Sequence, residues 1–77
     1  MAYDYSKLRG LIKEALGTES AFAAAIGKSP SYLSKVFSGV CDFDQDDIRK
    51  GAAALRIAKE KIGLYFFTLK VDKNATV

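Results

Sequence analysis

Residues 18–39, T-E-S-A-F-A-A-A-I-G-K-S-P-S-Y-L-S-K-V-F-S-G, decide how the rest of the chain is read. Thr18 suits a helix N-cap, Glu19 favours the positive end of that helix, and Phe22, Ala23 and Ile26 form an apolar stripe running to Gly27. Ser29 caps the next helix and Pro30 takes its first position, because proline holds its predecessor in the extended geometry an N-cap needs. The helix predicted over 30–38 turns Leu33, Val36 and Phe37 inward. Ser31, Tyr32, Ser34, Lys35 and Ser38 lie mostly on its other side, and Gly39 stops it. Two short helices joined by a glycine turn, the second polar on its outer face, are what a helix-turn-helix requires.

Upstream, Leu8, Leu11, Ile12, Ala15 and Leu16 recur at helical spacing between charged residues, which predicts a first amphipathic helix capped by Asp4 or Ser6 and ended by Gly17. Downstream, Asp44 is the expected N-cap of a fourth helix. Asp47, three residues on, completes a capping-box-like pair, and Ile48, Ala52 and Leu55 face inward. Residues 58 to 66 or 67 read as a fifth helix with Ile62 and Phe66 four apart. The alternation of Tyr65, Phe67, Leu69 and Val71 competes as a strand pattern. The reading adopted is a short fifth helix with a short extended C-terminal tail: one domain over 1–71 and a flexible segment over 72–77.

Seventy-seven residues allow one small core, which leaves no room for a deep substrate cavity. The chain has no histidine, so the commonest general base and metal ligand are missing, and the single cysteine, Cys41, rules out an internal disulfide framework or a Cys-based zinc site. Cys41 itself reads as a small, at least half-buried residue. The acidic run Asp42-Phe43-Asp44-Gln45-Asp46-Asp47 fails as a calcium loop, since its sixth position is Asp47 rather than glycine and its twelfth is Ala53 rather than glutamate. No enzyme, no metal, no cofactor and no small-molecule ligand are expected. The longest strongly apolar stretch, Leu64 to Leu69, is too short to span a bilayer, and no signal peptide is read at the start, so a cytoplasmic protein is expected.

The spacing of Ala23 and Gly27, with Leu33 six residues on, resembles the lambda-repressor and Cro-like helix-turn-helix family of bacterial and phage regulators. The resemblance covers residues 5 to about 57. It implies an all-α, compact five-helix DNA-binding domain whose third helix lies in the major groove of double-stranded DNA. Carried over by position, the base-reading candidates are Ser29, Ser31, Tyr32, Ser34, Lys35 and Ser38. Pro30 departs from the family's polar amide and shifts reading toward Ser31, Ser34 and Lys35. Lys28 departs from an apolar turn residue and suits a phosphate, as do the exposed amides near Thr18 and Ser20. Glu19 also departs, replacing a neutral amide where a carboxylate faces DNA.

The net charge of +3 says little about DNA, but residues 1–39 carry five positive and three negative side chains, while residues 40–55 carry two and four, so the acidic segment is local. Tyr65, Phe66 and Phe67 cannot all face one core, which makes them dimer-interface candidates. The expectation is a phage Cro- or repressor-type transcriptional regulator binding an inverted-repeat operator as a homodimer. The alternative is a helical protein-interaction module, such as an antitoxin or antirepressor partner.

Overall fold

In the computed structural model, which describes residues 3–69, every predicted helix is present. α1 spans Ser6–Leu16, α2 Glu19–Ala25, α3 Pro30–Phe37 and α4 Gln45–Leu55. A 3-10 turn over Lys59–Lys61 then leads into α5, Ile62–Phe66. α1 packs on α2, α4 and α5, and α2 packs on both α3 and α4.

The starts of α2, α3 and α4 follow from their caps. The Thr18 hydroxyl accepts from the Ala21 N–H, the Ser29 hydroxyl accepts from the Tyr32 N–H, and the Asp44 carboxylate accepts from the Asp47 N–H while Asp47 reciprocates in a complete capping box. α1 departs from expectation. Its N-cap is Tyr5, without a side-chain cap, because Asp4 is drawn into a local turn in which its carboxylate accepts from the Ser6 N–H at 2.9 Å. Ala15, expected inward, is exposed, and the buried face of α1 is Leu8 and Ile12.

Ala23 is fully buried in α2, which packs on α3, and Gly27 turns the chain at φ +73°, a conformation costly for residues with a Cβ. Gly51 serves a different need. A Cβ there would lie 2.9 Å from Cζ of Phe22 and 3.3 Å from Cζ of Phe66, so α4 reaches the core only by having no side chain at that point. α4 ends on Arg56 in the left-handed conformation, φ 55°, where glycine is the usual choice.

The core is rich in aromatic rings, and the ring with the most ring contacts among the described residues belongs to a loop residue at its edge. The ring of Phe43, between α3 and α4, lies within 5.5–6.5 Å of the rings of Tyr5, Phe22, Tyr32, Phe37 and Phe66, edge-on or tilted in each case. The three C-terminal aromatics separate as their adjacency requires. Phe66 is buried in the core, which withdraws it as a dimer-interface candidate; Tyr65 is half-buried; Phe67 is about half exposed, with its ring 5.8 Å from that of Tyr3.

The fifth helix begins four residues later than the earliest expected start, with a 3-10 turn before it. Among the described residues the strand alternation survives as one antiparallel bridge between Tyr3 and Leu69, next to a 2.7 Å hydrogen bond from the Asp4 N–H to the Thr68 carbonyl. The expected flexible segment 72–77 and the tail beyond Leu69 lie outside the described residues.

Candidate functional site

The face formed by α2, the turn and α3 is built largely from side chains that are already engaged. Thr18 and Ser29 are spent on capping, and the Ser38 hydroxyl donates to the Ser34 carbonyl at 2.8 Å. Tyr32 is half-buried against α4. Its hydroxyl donates to Asp47 Oδ2 at 2.6 Å and lies 3.1 Å from the Asp42 carbonyl oxygen. Asp47 is itself about 1% exposed, so this bond ties α3 to the start of α4 from inside the protein.

Lys28, expected to meet a phosphate, instead lies 3.8 Å from both Asp44 Oδ2 and Asp47 Oδ1, with Nζ 5.1 Å from the centroid of the Tyr32 ring. Glu19 finds its cation on α1. Arg9 Nε donates to Glu19 Oε2 at 2.8 Å, and the same guanidinium lies 4.8 Å from the Phe37 ring centroid. Every named DNA-contact candidate except half-buried Tyr32 is exposed, and of these Ser20, Ser31, Ser34 and Lys35 are the ones whose side chains are not spent on a cap, a backbone carbonyl or an ion pair among the described residues. Ser20 and Ser34 border an open groove of about 350 Å3 with Arg9, Glu19, Leu33 and Phe37 along it.

Electrostatically the face is close to neutral. Arg9, Lys28 and Lys35 are set against Glu19, Asp42, Asp44 and Asp47, and two of the three cations are in ion pairs. Such a face can dock a neutral, polar-rimmed surface but offers few charges to a phosphate backbone, whose affinity rises with each phosphate neutralised. Among the described residues no group of histidine, cysteine or acidic side chains can hold a metal, and Cys41 is a half-buried free thiol.

Burial, reinforced by the bond to Asp47 and by that carboxylate's charge, pushes the Tyr32 phenol well above its ordinary range. Burial and the charge of Asp42 raise Tyr5 to about 12. For both, the unfolded chain gives up its proton first, so their contribution is fully present below pH 10 and is lost as pH rises through the folded values. Urea denaturation followed from pH 8 upward should show a midpoint that falls above about pH 10. Tyr5→Phe should flatten that fall. An unchanged alkaline slope in this variant would mean the Tyr5 phenol is not held protonated by the fold.

The sequence profile of the family described as "Protein of unknown function (DUF739)" matches residues 1–69. The chain belongs to the DUF739 family. Among solved structures it is similar to the modulator of repression (MOR) of the temperate bacteriophage TP901-1 from Lactococcus lactis, with 38% identity over 94% of this chain and 97% of that one and a TM-score of 0.74. No curated protein matches it.

These findings correct the resemblance to the lambda-repressor and Cro-like family. The residues that carried it, Ala23, Gly27 and Leu33, are what any two short helices need when they cross closely around a tight turn. They report packing rather than descent. As a DUF739 protein the chain is a small all-helical domain similar to a phage regulator of repression, and none of its described helices is long and apolar enough to cross a membrane.

Proposed function

We propose that this DUF739 chain modulates transcriptional repression by binding a protein, as a cytoplasmic phage-type antirepressor partner, with no catalytic step. The observation that carries the reading is the neutralisation of the α2–α3 face. Lys28 faces Asp44 and Asp47 at 3.8 Å and Arg9 pairs with Glu19, so these carboxylates cancel much of the positive charge the face would offer a phosphate backbone. The 38% identity to a protein named as a modulator of repression supports the same role. On this reading the groove along Ser20, Leu33, Ser34 and Phe37 takes part of a repressor's surface, its apolar floor giving affinity and its serines giving register.

A second reading, direct operator recognition by a homodimer with α3 in the major groove, is favoured by the exposure of Ser31, Ser34 and Lys35 on one helix. One experiment separates the two. The folded chain is incubated with a random-sequence duplex DNA pool near physiological salt, and in parallel with the purified repressor encoded in the same genome. The expected result is no enriched DNA motif and a saturable complex with the repressor, weakened by Ser34→Arg in the groove. An enriched inverted repeat, lost in Lys35→Glu, would overturn the proposal and install the operator reading.

A further inference from the structure

A second pocket lies on the other side of α1. Leu11 and Arg9 are two residues apart on that helix, about 200° around its axis, so the pocket that Leu11 lines faces away from the α2–α3 groove. It holds about 220 Å3 between α1, the end of α4 and α5. Buried Leu55 and half-buried Leu11, Ile57 and Tyr65 form its apolar floor, and exposed Arg56 and Lys61 border it. No carboxylate lines it.

Arg56, Lys59 and Lys61 take part in no ion pair among the described residues, as is also true of the scattered Lys7, Lys13 and Lys35, but only here do such cations cluster in sequence. Three unpaired cations within six residues, with only Glu60 among them, make a local positive field beside an apolar recess. Arg56 stands at the left-handed end of α4, beside the recess. Three residues after Lys61, Leu64 is 44% exposed on α5.

We propose that this pocket docks an acidic segment of a partner protein, with one large apolar side chain seated on Leu11, Ile57 and Tyr65 and flanking carboxylates paired with Arg56 and Lys61. Charge complementarity selects the acidic partner, and the apolar floor selects a protein over a nucleic acid, since a phosphate backbone has nothing to place there. The recess is sized for a single anchor, the way a short motif is gripped. This surface stands apart from the α2–α3 face and does not depend on what that face binds.

The test is an NMR titration of the 15N-labelled full chain with the capped hexapeptide Glu-Glu-Leu-Phe-Glu-Glu. Shifts should appear at Leu11, Ile57, Lys61 and Tyr65, and affinity should fall as salt shortens the Debye length. Lys61→Glu, at an exposed position in the short turn before α5, should weaken binding about tenfold, and Arg56→Glu combined with it should abolish binding. The Lys-Lys-Leu-Phe-Lys-Lys peptide should not bind. Absence of shifts at these residues up to about 2 mM peptide would overturn the proposal. So would equal binding by both peptides, or a short DNA duplex producing the same shifts more tightly, which would reassign the patch to nucleic acid.

Discussion

Phe43→Ala should destabilise the protein by about 3–5 kcal/mol, the range for deleting a buried phenyl ring. A domain of this length holds about 4–12 kcal/mol in total, so the variant should be largely unfolded or melt far below the parent. The loss is expected because five rings contact this one. Removing it takes a shared neighbour from Tyr5, Phe22, Phe37 and Phe66, which come from the N-cap of α1 and from α2, α3 and α5. Phe43→Leu, which restores most of the volume, should lose only about 1–2 kcal/mol. Thermal melts of the two variants decide the matter. A Phe43→Ala protein that melts within a few degrees of the parent would show that the loop residue is not the hub.

The second large effect is expected at Asp47. Asp47→Ala removes three things together: the capping-box bond to the Asp44 N–H, the acceptor for the Tyr32 hydroxyl, and one of the two carboxylates facing Lys28. The Tyr32 hydroxyl, half-buried, then loses its strongest partner. A cap contributes about 1 kcal/mol and a hydrogen bond to a charged group about 1.5–3 kcal/mol, so a loss of about 2–4 kcal/mol is expected in urea. Lys28 is partly exposed and its pairing adds little. Tyr32→Phe should cost less than Asp47→Ala, and the double variant little more than Asp47→Ala alone, because both substitutions delete the same bond. Additive effects would place the stabilisation in the cap and not in the link between α3 and α4.

These two residues also mark where the sequence could and could not be read. The caps of α2, α3 and α4 were legible because each is a local event: Thr18, Ser29 and Asp44 bond backbone groups three residues ahead. The apolar stripe of Phe22, Ala23, Ile26, Leu33 and Val36 was legible for the same reason, as helical periodicity. Phe43 was not, since a loop residue has no period and its importance comes entirely from rings distant in sequence.

The candidate site suffered the same limit. Tyr32 looked outward on a helical wheel and Lys28 stood in a turn, yet their partners, Asp47 and Asp44, lie fifteen and sixteen residues on and face them only once α4 has folded back. Thr18 and Ser29 were countable twice, as caps and as DNA contacts, and their hydroxyls, like that of Ser38, serve the backbone. Lineage was the least legible. The Ala23, Gly27 and Leu33 spacing pointed to one family and the whole chain belongs to another, because three positions dictated by helix crossing are shared by any fold that crosses helices this way.

The Tyr3–Leu69 bridge joins residues 66 positions apart, beside a hydrogen bond from the Asp4 N–H to the Thr68 carbonyl. Most other contacts in so helical a chain are local and form early, so this clasp belongs to the late stage of folding, when the loop between its ends is already shortened by native structure. Its two sides therefore behave as one cooperative unit. Trimming either side removes the partner of the other, uncovers the same Tyr3–Phe67 ring contact, and should raise hydrogen exchange at Asp4 together with exchange around α5, while the amides of α2 and α3 keep their protection.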